Sequence, residues 1–77
     1  MEIYIDAYIG LPFEIRVVED HQIIQHVHIQ TVRELVDTIE VFEREYNIDG
    51  AYVLGDPKFA AALVMVLPGE LNLQVKE

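Results

Sequence analysis

Residues 50–67, GAYVLGDPKFAAALVMVL, decide the fold. Ala51 to Gly55 is a short continuous apolar run, the pattern of a strand buried on both faces at the centre of a parallel sheet. Asp56-Pro57 then reads as a helix start, with Asp at the N-cap and Pro at the first helical position, where its missing N–H is no loss. Pro57 to Leu67 runs on as a helix that is apolar almost all round, and Pro68-Gly69 stops it. A buried strand passing directly into a helix predicts a crossover to a further parallel strand. The C-terminal residues supply one: Leu71, Leu73 and Val75 alternate with Asn72, Gln74 and Lys76.

Working upstream, Val32, Leu35, Val36, Ile39, Phe42 and Tyr46 recur at helical spacing, while Arg33, Glu34, Asp37, Glu40 and Arg44 face away. Thr31-x-x-Glu34 fits a capping box, and Asn47 a C-terminal stop. The first thirty residues alternate with period two instead. From Glu2 to Ile9, Ile3, Ile5, Ala7 and Ile9 oppose Tyr4, Asp6 and Tyr8. After the breaker Gly10-Leu11-Pro12, Phe13, Ile15 and Val17 oppose Glu14, Arg16 and Val18. After the polar turn Glu19-Asp20-His21, a third strand from Gln22 to Gln30 sets Ile23, Val27 and Ile29 against Ile24, His26 and His28. Short links make these three strands an antiparallel meander.

The element order is βββαβαβ. Right-handed crossovers, with the fourth strand beside the first, give the strand order 3-2-1-4-5 and put both helices on one face. The expected fold is an α/β single domain over residues 1–77, a two-layer mixed five-stranded sheet. Its other face is left bare and carries Tyr4, Asp6, Tyr8, Arg16, Val18, Ile24, His26 and His28, too apolar a set for a surface that meets only water.

Composition narrows the function classes. A chain of 77 residues lies near the small end of what folds unaided, and its hydrophobic fraction of 52% excludes a disordered chain. The absence of cysteine rules out disulfides and thiolate metal sites and leans towards a cytoplasmic location. MEIYIDAYIG has no basic region ahead of its apolar residues and carries Asp6 among them, so it does not read as a secretory leader. The longest apolar run, Phe59 to Leu67, is too short to cross a bilayer, so no membrane partner is expected. The formal net charge is −9, and the fixed cations Arg16, Arg33, Arg44, Lys58 and Lys76 are scattered. Such a chain repels phosphates, so direct binding to nucleic acid is not expected. Its acidity fits a basic protein partner, or solubility alone.

Three acids hold notable positions: Asp6 inside the first strand, Glu34 in Arg33-Glu34-Leu35-Val36 at the start of the first helix, and Asp56 in Gly55-Asp56 closing the fourth strand. With the element order, they give the chain a resemblance to the ribonuclease H-like fold of ribonuclease H, retroviral integrases and Holliday-junction resolvases. The resemblance implies a metal-dependent nuclease in which equivalent acids hold two magnesium or manganese ions. Asp6 would bridge them, Glu34 would hold one and Asp56 the other, with catalysis at that site. Asp6 lies late in strand one, and Glu34 and Asp56 follow the ends of strands three and four, so all three belong at one edge of the sheet. Each acid also has a structural reading: Asp6 pairing with Arg16 across the hairpin, Glu34 completing the capping box, Asp56 capping the second helix. Ile5-Asp6 followed by Gly10 is also similar to the phosphate-binding first hairpin of the actin and heat-shock-chaperone ATPases, which share this core.

Two further features stand apart from the acids. His26 and His28 lie two apart on one strand and project to the same side, so they can occupy two positions around zinc, with a third ligand from Asp6, Glu14 or a second subunit. The plain alternative is a half-exposed strand face. The second helix has almost no polar side, so either the first helix buries it on several sides or its outer face meets another chain. Phe59, Leu63 and Val66, with Tyr4 and Tyr8 on the bare sheet face, are the expected interface residues of a homodimer. The expected function is that of a small acidic interaction domain that needs no cofactor. It would bind a basic partner, as an inhibitor or nucleic-acid mimic would, with Asp37, Glu40, Glu43 and Glu45 supplying the charge. The nuclease built on Asp6, Glu34 and Asp56 is the alternative.

Overall fold

Alternation along the chain becomes two-sidedness in the computed structural model, which describes residues 1–67 and 73–76. Strands β1 (Glu2–Ala7), β2 (Phe13–Glu19) and β3 (Gln22–Ile29) form the meander. They are followed by α1 (Val32–Glu45), β4 (Gly50–Gly55), α2 (Pro57–Val66) and β5 (Gln74–Val75). The sheet order is β3-β2-β1-β4-β5, antiparallel through the meander and parallel at β1–β4 and β4–β5. This is the order required by right-handed crossovers, and both helices cover one face. Pro68-Gly69 and the expected start of the last strand at Leu71 lie outside the described residues.

The core is the covered face. Ile3, Ile5 and Ala7 of β1, Phe13, Ile15 and Val17 of β2, and Ala51 and Val53 of β4 meet Leu35, Ile39 and Phe42 of α1 and Ala60 and Leu63 of α2. None of the described polar or charged residues is buried. Burial of each large aliphatic side chain contributes about 2–3 kcal/mol, which is what holds so small a domain together.

α1 starts where Thr31 Oγ1 accepts a hydrogen bond from the Glu34 N–H at 3.1 Å. Glu34's own exposed carboxylate returns no bond among the described residues, so the expected capping box is closed from one side only. The helix ends at Tyr46, whose N–H reaches Phe42 O as the backbone turns extended, one residue before the expected stop at Asn47.

The passage from β4 into α2 is tighter than the sequence suggests. Gly55 has φ +131°, and a Cβ placed on it would lie 1.9 Å from the carbonyl oxygen of Ala7. Only glycine lets β4 turn across the end of β1 here. Asp56 occupies the N-cap with Pro57 behind it, but its side chain makes no cap bond. Its Oδ2 instead accepts the N–H of Ile9 at 2.8 Å, while its own N–H donates to Ala7 O at 3.1 Å. These bonds hold the β1–β2 loop, and β1 ends at Ala7. Ile9, expected to continue the inward row, is 74% exposed. Gly10, at φ +84°, lets the chain turn back.

The β2–β3 hairpin holds two departures from simple alternation. Glu19 pairs with Gln22, and the loop is Asp20-His21 alone, both at positive φ (51° and 65°). That is the left-handed two-residue turn that matches strand twist, built here without glycine. A bulge then leaves Ile24 as the extra residue: Val17 pairs with Gln25, but Val18 pairs with Ile23. Ile23 therefore falls opposite Val18 on the open face rather than in the core row with Ile29, and is 56% exposed.

Candidate functional site

The face away from the helices is an ordered row of side chains across all five strands. Pairing sets Glu14 against His28 and Arg16 against His26 on one side, and Asp6 and Tyr4 against them on the other. Tyr4 also pairs with Tyr52 of β4, which pairs with Gln74 of β5. Arg16 Nη2 donates to Asp6 Oδ1 at 2.8 Å, and the guanidinium lies 5.7 Å from the Tyr4 ring centre. Tyr4 and Tyr52 stack at 5.3 Å, and Lys76 Nζ stands 5.4 and 5.1 Å from their two centres. Arginine, two tyrosines and lysine thus form a cation–π ladder, most of it half-buried though none of the described elements covers it.

Charge is divided between the layers. Two of the five fixed cations, Arg16 and Lys76, lie on the open face. Exposed Glu34, Asp37, Glu40 and Glu45 lie on α1, on the opposite side of the molecule. A second acidic zone surrounds a hollow of about 430 Å³ lined by Glu2, Glu19, Asp20 and Asp49, where the Met1 ammonium pairs with Asp49 Oδ2 at 3.0 Å.

The three acids singled out in the sequence have separate employment. Asp6 is held by Arg16, Asp56 by the Ile9 N–H, and Glu34 is exposed on the first turn of α1. Their oxygens do not come within 4.8 Å of one another as a group, so they assemble no joint site for one ion. A guanidinium on Asp6 is also the wrong neighbour for a bridging magnesium ligand. Asp6 and Asp56 are engaged by protein partners and Glu34 stands exposed on α1, an arrangement that does not favour the metal pair that the ribonuclease H-like resemblance implies. The Asp6–Arg16 pair and Asp56's place at the N-cap are what the structural readings of these residues expected.

A different trio does converge. Glu14, His26 and His28 each bring a ligand atom within 4.8 Å of the others, the one such group among the described residues. His28 Nε2 is 2.9 Å from Glu14 Oε1, and His26 Nε2 is 3.6 Å from Glu14 Oε2. The two imidazoles sit 5.0 Å apart, centre to centre. His-x-His was legible from strand spacing. Glu14 stood only as one of several third ligands, because choosing it requires the β2–β3 register.

The expected interface residues divide. Leu63 is a core residue at 3% exposure, and Phe59 packs on Phe13 with ring centres 5.9 Å apart, so neither offers α2's outer surface. Val66 does, beside Met65, at 63% and 87% exposure. Tyr4 and Tyr8 are on the open face as expected, Tyr4 half-buried in its stack and Tyr8 exposed. Tyr52 was hidden in the sequence because every residue from Ala51 to Leu54 is apolar or aromatic. The signal that could have exposed it is size: small Ala51 and β-branched Val53 flank a ring that cannot share their crowded face. Among the described residues no helix is long and apolar enough to cross a membrane. No protein-family model matches the chain, and comparison with curated proteins finds no match either.

Proposed function

We propose that the protein is a small acidic interaction domain that pairs with a second copy through its open sheet face and presents the acidic side of α1 to a basic partner. The observation that carries this reading is the sheet face that no described element covers. It joins the Tyr4–Tyr52 stack to Val18 and Leu54, with Ile23 and Ile24 exposed at 56% and 42% on the edge strand. A two-layer domain leaves such a face to water only at a cost in apolar exposure, and a symmetric partner removes it. The acidic helix on the far side stays accessible in that arrangement. Kinship with the ribonuclease H-like fold is part of the proposal at the level of architecture, supported by strand order 3-2-1-4-5. Function in that kinship would lie in binding rather than cleavage.

Light scattering at micromolar concentration tests the pairing. The wild type is expected at the mass of two chains and Ile24→Glu at the mass of one with an unchanged circular-dichroism spectrum. A wild type that stays at one chain removes the dimer. The basic partner is tested by capture and salt elution: a cationic protein retained by wild type and lost by the double change Asp37→Lys, Glu40→Lys is expected. Recovery of no cationic protein, or equal recovery by the double variant, counts against it.

A further inference from the structure

We propose that Glu14, His26 and His28 form a binding site for one divalent transition-metal ion, zinc foremost, on the edge of the open sheet face. The inference rests on geometry, donor chemistry and position within a single chain, at the edge of the face through which pairing is proposed above.

Strand pairing supplies the geometry. His26 and His28 alternate with inward-leaning Val27, so both imidazoles leave β3 on the same side. Glu14 is the direct cross-strand neighbour of His28 and the diagonal neighbour of His26. A tetrahedral ion with bonds of about 2.0–2.1 Å requires its ligand atoms about 3.3 Å apart. One ligand atom from each of the three residues lies within 4.8 Å of the others, and His28 Nε2 and His26 Nε2 stand 2.9 and 3.6 Å from the two Glu14 oxygens, so small side-chain rotations close the set to that spacing. In the absence of an ion, the same atoms already stand within ion-pairing distance of one another. The ligands are therefore gathered on rigid paired strands before the metal arrives, and binding orders no loop.

The donor set selects the ion. Two imidazole nitrogens and one carboxylate oxygen suit zinc, with copper(II) and nickel(II) as competitors. Calcium and magnesium prefer cages of oxygen. The neighbouring cation, Arg16, is already paired with Asp6 at 2.8 Å, so its charge is offset locally, and the chain's net charge of −9 favours cation approach. Entry is open, because the side chains of His26 and His28 are 42% and 61% exposed. With three protein ligands, the fourth position faces outward and takes water or an incoming donor.

Isothermal calorimetry of the untagged chain with zinc chloride tests the site. One zinc per chain is expected, and His28→Ala and Glu14→Gln should each weaken it by about 100-fold, the upper end of the loss that even an outer-shell partner causes. His21→Ala, at the hairpin tip, should bind as wild type does. Cobalt(II) should give the visible d–d absorption of a four-coordinate site in wild type and lose it in His28→Ala. Zinc should raise the melting temperature of wild type and of His21→Ala, and not that of His28→Ala or Glu14→Gln. Melting without metal confirms that each variant folds, with His28→Gln held in reserve. Zinc uptake that is unchanged in both ligand variants, or no uptake by wild type, overturns the proposal.

Discussion

On β1, Ile3, Ile5 and Ala7 point to the helices and are fully buried, whereas Tyr4 and Asp6, one residue away on the same strand, point to the open side and remain only half-buried. The covered side is held by area removed from water, and the open side by pair contacts: Asp6–Arg16, Tyr4–Tyr52, and Glu14 with its two histidines. Burial terms run to several kcal/mol per residue, while part-exposed polar and ring contacts run to about 1 kcal/mol each. Stability is therefore concentrated on one side of the sheet. The other side is free to carry charge and ligand atoms, because little of the fold depends on it. Helix coverage explains the asymmetry: both crossovers run the same way, so both helices land together.

The sharpest test of that contrast is at the junction that delivers α2 to the covered side. Gly55→Ala combines a left-handed φ with a Cβ 1.9 Å from Ala7 O, and its expected cost is about 4 kcal/mol or more. Urea unfolding would measure it, and a cost near zero would mean that Gly55 does not close against Ala7 O. Next in size is the comparison within β1: Ile5→Ala should lose about 3 kcal/mol and Tyr4→Ala about 1 kcal/mol in the same titration. These values are for the single chain at low concentration; the proposed pairing through the open side makes the Tyr4→Ala loss grow at higher protein concentration, and equal losses at low concentration would break the contrast. Asp6→Ala strips the partner from a half-buried guanidinium and should cost about 1–2 kcal/mol, with Asp6→Asn costing less because it keeps a hydrogen-bond acceptor. A neutral Asp6→Ala would mean that Arg16 finds another partner. The smallest effect has the opposite sign. His21→Gly relieves a left-handed residue at the hairpin tip and should stabilise by about 1 kcal/mol, read as a rise in melting temperature.

Much of the architecture is legible in the sequence. Alternation in residues 1–29 marks three strands, helical spacing from Val32 to Tyr46 marks α1, and chain handedness orders the sheet, since each of these is a property of neighbours along the chain or of chirality. The site was less readable. Asp56 looks like a helix cap from its neighbours, yet its carboxylate serves Ile9, 47 residues away. Ile23 looks inward by counting twos, and one bulge beside it undoes the count. Glu14 resembles any outward acid of a hairpin until register sets it beside two imidazoles, and Asp6, Glu34 and Asp56 do not gather as a group. Local pattern thus settled which segments are strands and helices and most of the residues that form the core, Ile9 and Ile23 excepted, because backbone geometry and burial repeat with fixed periods. Which acids meet which partners was decided only in three dimensions, because register and loop crossings bring together atoms that sequence spacing does not relate.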